Sequence, residues 1–164
     1  MSGFALELLA RDEADTRRIG ERLAASLQPG DILLLSGPLG AGKTALARAV
    51  VRALSGDDAL EVPSPSFSLV QPYETPMGAV LHADLYRLAL EDEIEELGLF
   101  DDPSAIVMVE WPERAPMLGE LASLGVDIAL PPGGGRIVRI ACLGSRAEPK
   151  GLRSALADLA APSR

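Results

Sequence analysis

Apolar positions along this chain follow two different spacings, one typical of buried strands and one typical of helices. Residues 32–35 and 105–109 are unbroken apolar runs, as expected for strands that are buried on both faces of a sheet. Leu46, Val50 and Leu54 recur every four residues, which predicts one face of a helix. The pattern therefore favours a fold in which strands and helices alternate.

Shorter patterns predict the remaining elements. Residues 4–8 alternate between apolar and less apolar side chains, which predicts an edge strand that includes Phe4. Residues 12–27 are predicted to form an amphipathic helix that ends before Pro29 and Gly30. The further predictions are a rigid extended loop at 62–67, strands at 66–71 and 79–82 joined by a turn around 76–78, a short acidic helix at 91–97 capped by Gly98, a helix at 119–124, strands at 126–130 and 137–142, and a C-terminal amphipathic helix containing Leu152, Leu156 and Leu159.

A glycine-rich motif follows the first apolar run. Residues 37–44 are Gly-Pro-Leu-Gly-Ala-Gly-Lys-Thr and fit the G-x-x-x-x-G-K-[ST] pattern of phosphate-binding loops. Glycines let backbone N–H groups converge on phosphate oxygens, and the following helix adds positive partial charge at its N-terminus. Lys43 is expected to reach the β- and γ-phosphates, and Thr44 to offer its hydroxyl to Mg²⁺. The alternative is a strand–helix turn that holds no ligand.

The context of this motif predicts the fold class. A strand, a glycine-rich loop and a helix predict an α/β fold of the P-loop NTPase type, three-layer α/β/α with a mixed, partly parallel central sheet. We expect parallel pairing around residues 32–35 and 106–109 and antiparallel pairing in the hairpins. The length of 164 residues predicts a single P-loop ATPase domain over residues 1–164, with residues 145–164 as its C-terminal helix or tail. The predicted nucleotide-binding residues of the loop are Gly37, Pro38, Leu39, Gly40, Ala41, Gly42, Lys43, Thr44 and Ala45.

Two acids each end an apolar stretch and are candidates for catalysis beside Lys43. Asp84 follows one such stretch and Glu110 follows another. A phosphate-binding loop needs a carboxylate at the carboxyl end of a neighbouring strand to hold Mg²⁺, directly or through water. One acid is expected to serve the metal and the other to orient the attacking water, and the sequence does not rank them. The alternative for each is to cap a loop or to pair with Arg87 or Arg114.

Two further side chains near these acids have competing interpretations. Trp111, the sole tryptophan, either stacks on a nucleobase or covers a small core. For His82, the sole histidine, a buried and hydrogen-bonded role is favoured over catalysis. The acidic run at residues 91–96 is expected to be a solvated helix face, with a docking surface for a basic partner as the alternative.

Composition narrows the function classes. The formal net charge of −9 argues against non-specific binding of nucleic acid. The single cysteine, Cys142, excludes an internal disulfide and fits a reducing compartment. No signal peptide or membrane-spanning run is evident, so we expect a cytoplasmic protein. The sequence contains no asparagine, so the Asn-Lys-x-Asp guanine reader of GTPases cannot be present, which favours ATP over GTP.

Taken together, these segments resemble the TsaE (YjeE) family of bacterial P-loop ATPases. The resemblance covers most of the chain, and it lies in the order and spacing of five stretches. They are the glycine-rich motif, Val-Pro-Ser-Pro-Ser-Phe at 62–67, His-Ala-Asp-Leu-Tyr-Arg-Leu at 82–88, Glu-Glu-Leu-Gly-Leu at 95–99 and Val-Glu-Trp-Pro-Glu-Arg at 109–114. The resemblance implies a role in making N6-threonylcarbamoyladenosine in tRNA. It also implies ATP and Mg²⁺ as cofactors and TsaD and TsaB as partners, with tRNA reached only indirectly through that complex.

The same resemblance implies roles for individual residues. Residues 64–67 resemble a switch-like loop in which Ser66 stands where the family usually has threonine, so the hydroxyl is kept and the methyl is lost. The implied set is Thr44, Glu110 and Asp84 around Mg²⁺, Asp84 also assisting hydrolysis, Trp111 and Ser66 at the nucleotide, and Thr16 on the helix that borders it.

Three hypotheses about function stay open on the sequence. The first is a Mg²⁺-dependent ATPase, weak alone, whose nucleotide state controls docking onto a tRNA-modifying assembly that carries out the transfer itself. The second is a nucleotide-gated binding protein in which hydrolysis is incidental and ATP orders the 62–67 loop. The third is a small-molecule kinase, although no lid insertion is evident between the strands.

Overall fold

A seven-stranded mixed sheet forms the centre of the mixed α/β fold in the computed structural model, which describes residues 5–161. The strands are β1 (Ala5–Ala10), β2 (Ile32–Ser36), β3 (Val70–Thr75), β4 (Gly78–Asp84), β5 (Ile106–Glu110), β6 (Leu124–Ala129) and β7 (Arg136–Cys142). Their order across the sheet is β1-β7-β6-β2-β5-β4-β3. The predicted edge strand is confirmed as β1, although Phe4 lies outside the described residues.

Parallel pairing is confined to the middle of this sheet, as predicted. β2 pairs in parallel with both β5 and β6, and β5 pairs in parallel with β4. The hairpins β3–β4 and β6–β7, and the pair β1–β7, are antiparallel. Glu110 is in register with Leu35 on one side and with Asp84 on the other. The carboxyl ends of three parallel strands therefore meet at one edge, beside the glycine-rich loop that leaves β2.

Within residues 5–161, four α-helices and three 3-10 helices accompany the strands. The α-helices are α1 (Glu13–Ser26), α2 (Lys43–Ser55), α3 (Leu118–Leu121) and α4 (Leu152–Ala155), and the 3-10 helices are Glu91–Leu97, Pro112–Arg114 and Ala157–Leu159. The prediction for α1 is confirmed, and the Asp12 side chain caps it by accepting a hydrogen bond from the Asp15 N–H at 2.9 Å. Among the helices of residues 5–161, none has both the length and the apolar character needed to cross a bilayer.

Apolar side chains cover both faces of the sheet, because residues alternate between the faces along each strand. Leu33 and Leu35 of β2 belong to a core cluster with α1, α2 and α4, whereas Leu34 belongs to a second cluster on the opposite face. That second face is covered by the 3-10 helix Glu91–Leu97, by α3 and by the connections between them. The long helices α1 and α2 thus lie on the same side of the sheet.

The predicted start of the strand at residues 66–71 is wrong. β3 begins at Val70, and residues 66–68 form a turn followed by a bend at Leu69. The Leu69 N–H donates to the Pro65 carbonyl oxygen at 2.7 Å, and Leu69 has a φ of 68°. Phe67 is 86% exposed, so its apolar side chain does not mark a buried strand position. Alternating apolar residues do not reveal that a backbone donor is already used inside a turn.

Two predicted helices differ from the structure. The segment at 91–97 ends at Gly98 as predicted, with a φ of 68°, but it is a 3-10 helix and not an α-helix. The helix predicted at 119–124 is the single turn α3. It stops early because the Ser123 N–H donates to the Ile32 carbonyl oxygen at 2.8 Å, and Leu124 already belongs to β6.

The C-terminal segment also differs, because α4 and the 3-10 helix Ala157–Leu159 replace one continuous amphipathic helix. The three leucines that suggested the helix, Leu152, Leu156 and Leu159, are all buried. Ala160 forms an isolated antiparallel bridge with Leu8 of β1. The segment is therefore packed against the edge of the sheet through a strand-like contact that helical spacing did not predict.

Close contact between α1 and α2 yields a prediction about stability. A Cβ added at Gly20 would lie 2.5 Å from the Cβ of Ala49, closer than packed carbons approach. We expect Gly20→Ala to lower the free energy of unfolding, because overpacking costs about 1–3 kcal/mol and offsets the gain of about 1 kcal/mol in helix propensity. Urea denaturation measures this change.

The exchange of the two residues is the matched control. In Gly20→Ala combined with Ala49→Gly the helix propensities cancel and the clash is removed, so we expect stability close to that of the unchanged chain. A Gly20→Ala single variant that unfolds at a higher urea concentration than the unchanged chain would show that the two helices are not in this close contact.

Candidate functional site

The glycine-rich loop, residues 37–44, connects the carboxyl end of β2 to the first turn of α2. Gly37, Gly40 and Gly42 all have positive φ, at 150°, 77° and 101°. A Cβ at Gly37 would lie 2.6 Å from the carbonyl oxygen of Ile128 in β6, so only glycine fits this position. The loop is therefore pressed against the end of a neighbouring strand.

Lys43 is buried and directed back over this loop. Its Nζ donates to the carbonyl oxygens of Gly37 at 2.6 Å and Pro38 at 2.9 Å. The same ammonium lies 4.2 Å from the centroid of the Trp111 ring, within the range of a cation–π contact. All of these partners are electrically neutral.

The charges around Lys43 act on its pKa in opposite directions. Burial lowers the pKa of the Lys43 ammonium below its ordinary value, since removal from water disfavours the charged form. The carboxylates of Glu110, Glu113 and Asp84 oppose that effect, in this order of strength. The site thus combines one buried cation with two buried acids, Asp84 and Glu110, while Glu113 lies outside the cavity.

Arg136, at the start of β7, holds the opposite side of the loop. Its Nε donates to the carbonyl oxygen of Ala41 at 2.9 Å, and its Nη2 donates to that of Gly40 at 3.3 Å. Sequence reasoning missed this residue, because an arginine at the start of a strand pattern carries no motif. The one signal in the sequence is that Arg136 follows three glycines at 133–135, where the backbone can pass close to another segment. This signal is too weak to predict a contact with the loop.

Glu110 is 2% exposed and is the best-bonded acid of the site. The Thr44 hydroxyl lies 2.9 Å from its Oε1 and 3.0 Å from its Oε2. The Nε2 of His82 lies 2.6 Å from the same Oε2. The prediction that His82 is buried and hydrogen-bonded is confirmed, but its partner was not foreseen. The available signal was that His82 precedes Asp84 by two residues and so lies on the same face of β4.

Asp84 is also buried, one strand farther from the loop. Its Oδ1 accepts from the Tyr86 N–H at 2.9 Å, and its Oδ2 accepts from the Ser66 hydroxyl at 3.4 Å. The Ser66 hydroxyl in turn lies 2.7 Å from that of Ser64. The switch-like loop predicted at residues 64–67 is thus linked to one acid of the site.

The alternative in which the two acids pair with nearby arginines is not what the structure shows among its described residues. Arg87 packs its guanidinium 4.6 Å from the centroid of the Phe67 ring, and Arg114 lies 5.7 Å from that of Tyr86. Both arginines face exposed aromatic rings. The other form of that alternative, an acid that caps a loop, is present at Asp84, whose Oδ1 accepts from the Tyr86 N–H.

Trp111 follows Glu110 in a left-handed conformation, with a φ of 59°. The backbone N–H of Trp111 donates to the Leu35 carbonyl oxygen at 3.3 Å. The Trp111 ring contacts the Tyr86 ring, and their centroids are 4.9 Å apart. A non-glycine residue in this region costs roughly 1–2 kcal/mol, so the surrounding contacts must hold it there. The indole covers part of the second core cluster and also faces Lys43.

Two cavities lie on either side of the loop and meet at Ala41, Gly42 and Ala45. The smaller, about 300 Å³, brings together most of the predicted site residues: the loop from Leu39 to Ala45 with Ser66, Asp84, Glu110 and Trp111. The larger, about 450 Å³, contains Thr16 of α1 and five arginines. Thr16 is therefore separated from the acids and lines the opposite side of the loop.

The donor set in the smaller cavity is sparse for a metal held by protein alone. Within residues 5–161, no group of three or more His, Cys, Asp or Glu side chains is arranged to hold a metal ion. A cation here would take one carboxylate and one hydroxyl from the protein, which is the ligand pattern of Mg²⁺ bound together with phosphates.

Comparisons with known proteins agree with this architecture. A family model described as "Threonylcarbamoyl adenosine biosynthesis protein TsaE" matches residues 10–133. The chain is similar to the "tRNA threonylcarbamoyladenosine biosynthesis protein TsaE" of Rickettsia felis, with 39% identity over 107 residues, which are 65% of this chain and 62% of that relative. It is similar to the protein of the same description from Aquifex aeolicus, with 39% identity over 66% of this chain and 77% of that relative.

A solved structure shares the fold of this chain. The crystal structure described as that of "Bacillus subtilus YdiB" superposes with a TM-score of 0.70 and 25% identity, over 94% of this chain and 95% of that one. The family model spans well over half of the chain and includes the glycine-rich loop and both acids. This chain therefore belongs to the TsaE family, which is involved in tRNA threonylcarbamoyladenosine biosynthesis.

Proposed function

We propose that this chain binds ATP and Mg²⁺ at the glycine-rich loop and hydrolyses ATP in support of tRNA N6-threonylcarbamoyladenosine formation. It acts with TsaD and TsaB, which reach the tRNA, and does not transfer the group itself. The observation that carries the proposal is the contact of the Thr44 hydroxyl with both oxygens of Glu110. We also propose that residues 1–164 form one P-loop domain of the three-layer type, working in the cytoplasm.

The residues of the smaller cavity fit a nucleotide phosphate with its metal. Thr44 and Glu110 supply the oxygen donors that Mg²⁺ prefers, and the N-terminus of the 13-residue helix α2 adds positive partial charge. Lys43 now donates to two neutral carbonyl oxygens, and anionic phosphate oxygens are stronger acceptors within its reach. When bound, Mg²⁺ neutralises charge on the phosphate oxygens.

The two acids divide the work according to their positions. Glu110 contacts Thr44 directly, so we assign Glu110 and Thr44 to the metal. Asp84 lies one strand away and is held on one oxygen by the Tyr86 N–H. Its other oxygen, Oδ2, has only a long contact of 3.4 Å with the Ser66 hydroxyl. Oδ2 is therefore available to accept a hydrogen bond from a water molecule. Asp84 therefore orients the attacking water, with any contact to the metal made through water.

The nucleoside part of ATP belongs in the larger cavity. Its floor includes Ala41, Ala45 and Ala49, which leave space against the loop, and Thr16 offers a hydroxyl at its rim. Trp111 lines the smaller cavity with Lys43, so it acts on the phosphate side and does not stack on the base. This assignment changes the interpretation of the indole that the sequence suggested.

One observation favours a gating role in addition to hydrolysis. Ser66 connects Asp84 to the 62–67 loop, whose Phe67 is 86% exposed. If Asp84 loses its bond to Ser66 during ATP hydrolysis, the 62–67 loop can move, and Phe67 moves with it. An exposed apolar side chain of this kind is one that a protein partner can bind.

The role of hydrolysis is tested with a non-hydrolysable ATP analogue. We expect the chain with TsaD, TsaB and the analogue to support at most one round of tRNA modification for each chain, whereas ATP supports many. Counting modified tRNA per chain measures this. Repeated rounds with the analogue would assign the chain to the gated-binding class, in which hydrolysis is incidental.

Substitution of Lys43 tests the phosphate site. We expect Lys43→Ala to lower ATP turnover in the presence of TsaD and TsaB by roughly 10²–10³-fold, because it removes the cation that faces the transferred phosphate. Release of inorganic phosphate measures the turnover. The matched control is Lys150→Ala, which removes the other lysine of the chain from an exposed position and should leave the rate unchanged. Equal rates in the two variants would contradict the assignment.

The sole tryptophan provides a direct binding signal. Because Lys43 lies 4.2 Å from the Trp111 ring, its movement towards phosphate should change the fluorescence of Trp111 as ATP and Mg²⁺ are added. We expect a saturable change that is larger for ATP than for GTP at equal concentration. Free N-acetyltryptophanamide, titrated in the same way, corrects for absorption by the nucleotide. If calorimetry shows that the chain is saturated with ATP and the Trp111 emission is unchanged, Lys43 does not leave the indole.

A further inference from the structure

We propose that His82 is a positioning residue that holds the Glu110 carboxylate in the orientation in which it meets Thr44. This proposal rests on the proposed function, since it concerns the acid that we assign to Mg²⁺. It adds to that function a residue that neither the glycine-rich motif nor the two acids identify.

The surroundings of His82 make a hydrogen-bonding role necessary. The side chain is 0% exposed, and it lies within β4 between the core and the site. Its Nε2 is 2.6 Å from Oε2 of Glu110. A carboxylate only accepts hydrogen bonds, so His82 must carry a proton on Nε2 to make this contact. The other ring nitrogen, Nδ1, is buried and has no hydrogen-bond partner among the described residues.

The unpartnered Nδ1 indicates which contact determines the ring's position. Buried polar atoms are rarely left without a partner, and here the ring leaves one nitrogen unsatisfied while the other makes a short bond to Glu110. With the proton on Nε2, Nδ1 is an acceptor only, which avoids leaving a buried N–H without an acceptor. The ring is therefore oriented for Glu110.

The two donors to Glu110 approach from different elements. Thr44 belongs to the first turn of α2, and His82 belongs to β4, one strand beyond Glu110. Rotation of a carboxylate about its last side-chain bond is only weakly restricted. Thr44 contacts both oxygens and cannot alone define that rotation, whereas His82 contacts Oε2 alone. His82 thus determines which oxygen stays available on the side of the metal.

Three substitutions of His82 separate positioning from packing. His82→Gln keeps an amide N–H at about the reach of Nε2, and His82→Leu fills the space without a donor. His82→Asn carries its amide at about the reach of Nδ1, too short for Glu110, and keeps a polar side chain. Positioning predicts that Gln substitutes for His and that Leu and Asn do not.

The measurement is the gain in ATP affinity that Mg²⁺ provides, taken by calorimetry on the full chain in Mg²⁺ and in EDTA. We expect the ratio of the ATP affinity in Mg²⁺ to that in EDTA to fall roughly tenfold in His82→Leu and His82→Asn. This is the lower end of the effect of removing a partner that orients a metal ligand. The affinity in EDTA should stay unchanged, and His82→Gln should keep the gain to within about threefold. Thermal unfolding of each variant is recorded in parallel.

The outcomes separate this proposal from the function on which it rests. If the unchanged chain binds ATP with a Mg²⁺-dependent gain and His82→Leu keeps the same gain, His82 is a packing residue and the proposal is wrong. An equal loss in Mg²⁺ and EDTA also contradicts it, because the effect is then general. If the unchanged chain shows no Mg²⁺-dependent binding of ATP, the proposed function itself fails.

A second measurement does not require any substitution of His82, and its first reading is taken on the unchanged chain. Because His82 is the sole histidine, its ring nitrogens give the only imidazole signals in a ¹⁵N nuclear magnetic resonance spectrum of the histidine-labelled chain. We expect Nε2 to carry a proton in the unchanged chain, and the Nε2 signal to shift in Glu110→Gln while remaining in place in Glu113→Gln. An Nε2 that carries no proton would overturn the proposal, since it could not then donate to Glu110.

Discussion

A carboxylate buried in a folded protein must be hydrogen-bonded, and this requirement organises the site around Glu110. The acid is 2% exposed, and its donors come from the start of α2 and from β4. Three elements distant in sequence must therefore be in place before the buried charge has its partners. Removing a partner of a buried charge costs several kcal/mol in general, so the strand register and the loop conformation are energetically coupled at this residue.

Parallel pairing converts that local requirement into a site. Asp84 and Glu110 are neighbours in register, and β2 on the other side of Glu110 leads directly into the glycine-rich loop. The acids, Thr44 and Lys43 consequently face one cavity, while α1 and the opposite side of the loop enclose a second. The loop therefore separates a cavity of about 300 Å³ that contains Lys43 and the two acids from a cavity of about 450 Å³ that is bordered by α1.

The loop itself is held from both sides before any ligand is considered. Lys43 donates to carbonyl oxygens at its start, and Arg136 donates to carbonyl oxygens at its middle. Each of these cations supplies hydrogen bonds to backbone carbonyl oxygens of the loop. In the proposed function Lys43 exchanges its carbonyl acceptors for phosphate oxygens, while Arg136 keeps the backbone in place. The left-handed Trp111 is positioned beside that exchange.

Local patterns in the sequence determined the α/β class, the parallel centre, the loop and the two acids, because glycine spacing and strand-terminal acids act through neighbouring backbone. The same patterns missed two kinds of feature. The turn at residues 66–69 and the 3-10 geometry at 91–97 depend on which local backbone bonds form, and the packed C-terminal segment depends on a contact distant in sequence. The hydrogen bonds between His82 and Glu110 and between Arg136 and the loop are also contacts distant in sequence. Which acid meets Thr44 was decided by strand order alone, since a sequence specifies which strands form more directly than which strands become neighbours.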